Sequence, residues 1–427
     1  GGTIIIHAVD AEFQPIQSAQ VRIANSTVNP AIDLTTFTDE LGTASVLGAP
    51  PAGGYAITVT KGGYSSAQTY GVTATNTNPI PAHLGVGGYQ TTAATFEIDR
   101  LSSLHVETYE KIKDESWDDL FTDDSNVSLT DVEITGGRAE LAGSEGSYAA
   151  SGTVISIAPS IPYLYRWQEI TWNDIVPGGT DIVYRVYDAG GEPLSNGELQ
   201  GNTAGFTSPP INISGVSTST HALLKVGATL ATSDASTTPS IQDWTVSYEV
   251  GPEPLSDIDF NLHGGKTIGT EAGGSLIYKY DVDHTTNAEG LRDISNIEWD
   301  LYTISVSAST GYDIASSCPP QSVGIVPEAA VSVRLYLAAH TTNSLLVDVR
   351  ASDGTLIDGA SIRLYRGSYD TTLTSDECGQ EIFSSLSVGS VGAGNPYSIE
   401  VSASGYTSYT STEVNVSGTT RLSIILN

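Results

Sequence analysis

One stroke of alternating residues, Tyr-x-Ile-x-Val and then Gly-Tyr after a short gap, occurs three times in this chain. The copies are Tyr55-x-Ile57-x-Val59 with Gly63-Tyr64, Tyr302-x-Ile304-x-Val306 with Gly311-Tyr312, and Tyr397-x-Ile399-x-Val401 with Gly405-Tyr406. Apolar residues at period two mark a strand with one buried face, and Gly-Tyr marks the turn that follows it. Recurrence at the scale of a small domain points to an array of β-domains rather than to one enzyme fold. The 427 residues leave room for three or four domains of about 100–150 residues each.

The first unit opens with a strand over 3–9, turns through Asp10 to Pro15 and continues in a strand over 19–23. Thr38-Asp39-Glu40-Leu41-Gly42 reads as a turn ahead of the Tyr55 strand, and residues 91–98 close the unit. The last unit repeats this plan. It has strands over 345–349 and 360–364 around Asp353-Gly354, Asp376-Glu377-Cys378-Gly379 in the place of Asp39 to Gly42, and a closing strand over 421–426. The other copy is looser: Asp259 to Gly269 opens it, Ala288-Glu289-Gly290 replaces the Asp-Glu-x-Gly turn, and 331–337 ends it. Residues 101–252 do not follow the repeat and hold four of the five tryptophans, Trp117, Trp167, Trp172 and Trp244.

The strand Gly-Ala-Ser-Ile-Arg-Leu at 359–364, the Asp-x-x-Gly turn and the Tyr-x-Ile-x-Val…Gly-Tyr hook resemble carboxypeptidase regulatory-like domains, which are transthyretin-like, immunoglobulin-type sandwiches. Residues 211–220 and 238–248 are similar to jelly-roll modules of bacterial surface proteins. The resemblance implies an all-β chain of three small sandwiches and one larger jelly roll, divided 1–100, 101–252, 253–340 and 341–427. The order of domains also resembles the exterior part of large type IV pilin-like proteins, in which a prepilin helix precedes the β-domains. Fold resemblance of this kind says little about function.

Composition narrows the partners. Forty-nine acidic residues against 17 basic give a net charge of −32, which disfavours nucleic acid and anionic membrane. No apolar run approaches the roughly 18–20 residues of a membrane span. The chain contains no methionine and begins at Gly1, so it reads as a processed product whose signal peptide or anchor precedes it. The two cysteines, Cys318 and Cys378, most simply form one disulfide between the last two units of an extracellular chain, with two free thiols as the other reading.

Catalysis needs a base, a nucleophile and a group to hold developing charge. None of the seven histidines stands in an HExxH frame, and neither a nucleophile elbow nor a phosphate loop is present. Tyr365-Arg366-Gly367-Ser368 matches the terminal tetrapeptide of transthyretin-related hydrolases, but it lies mid-domain with no histidine after His340. An intramolecular Lys–Asn bond lacks a lysine in the first strands over 3–9 and 345–349, and an asparagine in the last strand over 331–337.

Two features remain open. Asp114, Glu115, Asp118, Asp119, Asp123 and Asp124 crowd one segment, which is either a solvated acidic stretch or a source of oxygen ligands for a structural Ca²⁺. Trp117 and Trp167 stand nearer loops than Trp172 and Trp244, so they are the candidates for stacking on a sugar, against the alternative of a core role. The expectation is thus a non-catalytic extracellular protein with no cofactor beyond that Ca²⁺. Its partners would be other filament subunits and a cell-surface glycan or protein. A lectin-like 101–252 domain is the alternative.

Overall fold

The computed structural model describes residues 1–144 and 146–427. The chain is all-β: apart from two short 3-10 turns its regular structure is strand, and among the described residues no helix is long and apolar enough to cross a membrane. Contacts divide it into a unit formed by 1–109 with 254–427 and a second unit over 110–253.

The first and last sandwiches share one topology. In the first, Gly2–Val9 lies between Thr43–Ala49 and Thr91–Glu97, antiparallel to one and parallel to the other. The facing sheet runs Ile32–Phe37, Gln20–Asn25, Ala52–Thr60, Ala67–Gln68. In the last, Ser344–Ala351 lies between Gln380–Phe383 and the parallel Thr419–Leu426, opposite Tyr369–Thr374, Ser361–Arg366, Tyr397–Ser402 and Tyr409–Val414. Period-two sequence makes the two-layer core: Ile4, Ile6 and Ala8 point inward from the first strand and meet Val21, Ile23, Ile57 and Val59 from the other sheet.

The middle sandwich corrects the expected assignment of 101–109 to the jelly roll, since the inserted unit begins at Glu110. Its core contains Leu104 and Val106 beside Ile258, Phe260, Tyr302 and Leu335, and Ser102–Glu110 pairs with Leu291–Ile297 and neighbours Ala330–Ala339. The strand Ser102–Glu110 therefore opens this sandwich, and Asp259–Gly264, expected to open it, is its second strand. The 110–253 unit is inserted between the two.

Hydrogen bonds at equivalent positions prove the correspondence. The amides of Ala8, Thr108 and Val349 donate to the carbonyls of Gly42, Gly290 and Gly379 at 2.8, 2.9 and 2.8 Å. The carbonyls of the same three residues accept from Ile16, Leu255 and Ile357. The amides of Ala19, Ile258 and Ala360 donate to the buried hydroxyls of Thr38, Thr286 and Ser375. The next residue, Asp39, Asn287 or Asp376, accepts two backbone amides on one side-chain oxygen. What is a short turn from Ala8 to Ile16 in one copy is thus a whole domain between Thr108 and Leu255 in another.

The repeated tyrosine has one job throughout. Tyr55, Tyr302 and Tyr397 are fully buried rings whose hydroxyls donate to the carbonyls of Pro50, Glu298 and Ser387 at 2.6, 2.8 and 3.0 Å. A buried phenol needs such a partner.

Within the larger unit both joints are tied. Thr267–Thr270 pairs with Asn78–Pro79 of the first sandwich, Asn76 Nδ2 donates to the Ile268 carbonyl at 2.9 Å, and Lys279 Nζ donates to the Ser66 carbonyl at 2.8 Å. At the other joint Cys318, ending Tyr312–Cys318, is bonded to Cys378 in the turn of the last sandwich, with Cα atoms 5.5 Å apart. Ala315, Leu346 and Ile382 make a small apolar contact beside it, and the Ser317 amide donates to Gln380 Oε1 at 2.9 Å.

The inserted unit is a larger sandwich of two antiparallel layers. Val127–Thr130, Ser151–Ser156, Leu224–Thr232 and Thr180–Asp188 form one. The other is built on Ser240–Val250, with Leu164–Ile175 along one edge and Lys113–Asp119 and Ala139–Leu141 along the other.

Gly290 holds φ +74°, and a Cβ there would lie 2.8 Å from the Thr108 carbonyl oxygen and 2.9 Å from that of Leu255. Gly290→Ala should therefore cost the middle sandwich about 1–3 kcal/mol. In calorimetry one unfolding transition should fall by several degrees, while Gly53→Ala, with open space around its Cβ, should leave the melt unchanged.

Candidate functional site in the inserted sandwich

Trp167 does not reach a surface. It lies on Leu164–Ile175 with no exposure, its Nε1 donates to the His221 carbonyl at 2.9 Å, and its ring meets Tyr248 edge-on. The expectation of a stacking platform there is overturned by strand register: position 167 faces the other sheet. Trp172 and Trp244 fill the same core, stacked on Tyr184 and edge-on to Phe121 respectively.

The acidic segment runs along a strand and into the turn after it. Residues 113–119 form a strand, so Asp114 and Asp118 lie on one face while Glu115, Trp117 and Asp119 lie on the other. Asp114 Oδ1 accepts from Gln168 Nε2, and Asp123 Oδ1 accepts from the Ser125 amide at 2.9 Å. That bonding to Ser125 holds Asp123 below the ordinary carboxylate range. Asp124 is exposed. Among the described residues the close groups of potential ligands are the bonded Cys318 and Cys378 with Glu377, and Asp10, Glu12 and Asp99; none includes Asp114, Asp118, Asp119, Asp123 or Asp124.

Asp119 is the exception in burial. It is 5% exposed, one oxygen accepts from the Phe121 amide at 2.8 Å, and the other is buried with no protein partner. Burial first, and then the charge of Asp123, pushes its pKa up despite the Phe121 bond.

Trp117 does stand at a surface. It is half-buried and lines a concavity of about 280 Å³ together with Tyr163 and Tyr248. Pro159, Ile161 and Pro162 supply apolar wall. Tyr163 is 51% exposed and holds φ +53°, an uncommon conformation for an aromatic residue, and its carbonyl accepts from the Gly251 amide at 2.8 Å. Around the rim stand Glu110, Glu115 and Glu253 with Lys111 and Lys113. Lys113 Nζ lies 3.1 Å from Glu110 and 3.5 Å from Glu115. Burial, and then the charges of Glu115 and Asp118, raise the Tyr248 hydroxyl pKa. Sequence reasoning found Trp117 but missed Tyr163, in the turn before Leu164–Ile175, and Tyr248, on Ser240–Val250, which reach the same concavity.

A hydroxyl, a carboxylate and an imidazole also meet in this unit. Ser195 Oγ donates to Glu198 Oε2 at 2.7 Å, and His221 Nε2 lies 3.0 Å from Glu198 Oε1. The carboxylate sits between the other two, so the imidazole is not placed to take the serine proton, as nucleophilic catalysis would require.

No family model matches the chain, and no curated protein matches it. Similar solved structures include the Bacillus anthracis TIE protein, at 9% identity and a TM-score of 0.19 over all of this chain. The chain spans about half, 50%, of that protein's length. BcpA, the major pilin subunit of Bacillus cereus, matches at 11% identity and TM-score 0.17, covering 100% of this chain and 99% of that one. The full-length major pilin SpaD from Corynebacterium diphtheriae matches at 12% and 0.17, covering 100% and 98%. At these values function has to be argued from the chain's own residues.

Asp119 supplies a pH test. Its folded pKa lies above its unfolded one, so its contribution to stability is greatest below the unfolded value and is lost as pH rises through the folded value. Asp119→Asn keeps an acceptor for the Phe121 amide and removes the charge. Relative to the parent chain, its unfolding midpoint should rise on going from mildly acidic to neutral pH; a constant difference would show that Asp119 carries no buried charge.

Proposed function

We propose that this chain is a non-catalytic, extracellular structural protein, the exterior part of a cell-surface or filament subunit. Three sandwiches of one plan form its shaft, and the inserted sandwich is the cargo of the middle one. The observation that carries this reading is that consecutive sandwiches are tied at both joints, one by strand pairing and one by a disulfide. An array that only strung domains together would need neither tie; flexible linkers would serve.

Several features support the extracellular setting. A disulfide between domains persists only outside a reducing compartment, and a net charge of −32 disfavours the nucleic-acid partners of the cell interior. The partners in this reading are other filament subunits and a ligand on an opposing surface.

Immunogold labelling of the cells that make the protein should place it on filaments or on the outer envelope, and cytosolic labelling would overturn the proposal. Stiffness has its own measurement. The middle–last joint has a small apolar contact, and Ser316 Oγ, Ser317 Oγ, Ser344 Oγ and Gln380 Nε2 are buried there without protein partners, so the covalent bond matters most. A Cys318→Ser, Cys378→Ser double variant should show a broadened distance distribution between spin labels on the middle and last sandwiches. An unchanged narrow distribution would mean that the disulfide does not stiffen the shaft.

A further inference from the structure

The concavity beside Trp117 has no part in the shaft. We propose that it is a receptor for an alkylammonium group, held by cation–π contact with Trp117 and Tyr163 and by charge pairing with the rim carboxylates.

Four observations lead there. Aromatic faces attract cations, and the wall includes Trp117, the half-exposed Tyr163 and Tyr248. The rim carries Glu110, Glu115 and Glu253 in a chain of net charge −32, a field that draws cations in and turns anions away. The rim already holds an ammonium, because the protein's own Lys113 Nζ sits between Glu110 and Glu115 at 3.1 and 3.5 Å. Finally, the wall is set before any ligand arrives: Trp117 packs on the core, and Tyr163 is pinned in its left-handed conformation by the Gly251 amide. A sugar's hydroxyls can donate to the same carboxylates, but only a cation gains from their net charge.

Lys113 has a defined place in this picture. It is 46% exposed on a flexible stem, so it acts as an internal occupant that an incoming ammonium displaces from Glu110 and Glu115. Removing it should strengthen cation binding, an effect opposite in sign to what an anion site would show.

The test is a saturation-transfer NMR titration of the full chain with butylammonium and with tetramethylammonium at low salt, using methyl glucoside and acetate as controls. Both cations should bind saturably, and the tighter of the two tells whether a primary or a methylated amine is preferred. Lys113→Gln should tighten binding roughly two- to fivefold, and Glu115→Gln should weaken it by a similar factor. Tyr163→Asn, which suits the left-handed backbone, should weaken it roughly three- to tenfold. Trp117→Ala is avoided because that ring also supports the core. Absence of saturable cation binding, binding of methyl glucoside as tight as that of the cations, or weaker binding by Lys113→Gln would each overturn the proposal. None of these outcomes bears on the tied joints of the shaft.

Discussion

Each of the three small sandwiches depends on one knot of hydrogen bonds, in which a left-handed glycine is pressed against the first strand. Gly42, Gly290 and Gly379 each give a carbonyl to an amide of that strand, while the preceding Asp or Asn caps its own turn and a buried hydroxyl reaches the start of the second strand. A side chain at the glycine would collide with the carbonyl of Ala8, Thr108 or Val349, at 2.6, 2.8 or 2.7 Å. The knot therefore specifies glycine on steric grounds and holds both ends of the connection between first and second strands.

That second property explains how the middle sandwich tolerates an inserted domain. Its two ends are fixed by Thr108 and Leu255: the Leu255 amide donates to the Thr108 carbonyl, and the Thr108 hydroxyl donates back to the Leu255 carbonyl at 2.7 Å. Closing a longer loop costs only slowly increasing entropy, and an insert that folds by itself has its own ends already close. Thr108 replaces Ala8 and Val349 at this position, and its extra hydroxyl serves the one copy in which the connection is long.

Much of this organisation was legible in the sequence, because period-two alternation and the Tyr, Gly and Asp positions follow directly from burial and turn geometry. In the first and last units the opening, second, Tyr-bearing and closing strands were readable, while those over 32–37, 43–49, 369–374 and 380–383 carry no comparable signal. The middle unit was misread at its start because the insertion separates Ser102–Glu110 from Asp259–Gly264, although Leu104, Val106 and Thr108 repeat the inward spacing of Ile4, Ile6 and Ala8. The candidate site was less legible. Whether Trp167 or Trp117 faces outward depends on which sheet covers each strand, and the crowding of Asp114 to Asp124 in sequence dissolves once 113–119 is extended. Tyr163 and Tyr248 belong with Trp117 only through strand pairing that no local pattern encodes.

Two of the scarce basic residues gather at the joint between the first and middle sandwiches. Lys266 and Lys279 both pair with Glu298 near the first joint, Lys266 lies 3.0 Å over the Trp299 ring, and Lys279 also reaches the Ser66 carbonyl. Burial lowers the pKa of Lys266, and its hydrogen bond and charge pairing with Glu298 oppose that shift. In a chain with so large an acidic excess, a half-buried carboxylate that holds two ammoniums resists mispairing, since few other cations compete for it. The two joints are thus tied by different chemistry: backbone pairing reinforced by an ion cluster at one, and a covalent bond across a poorly hydrogen-bonded contact at the other. Only the second depends on the redox state of its surroundings, so any change in shaft flexibility brought about by reduction must arise between the middle and last sandwiches.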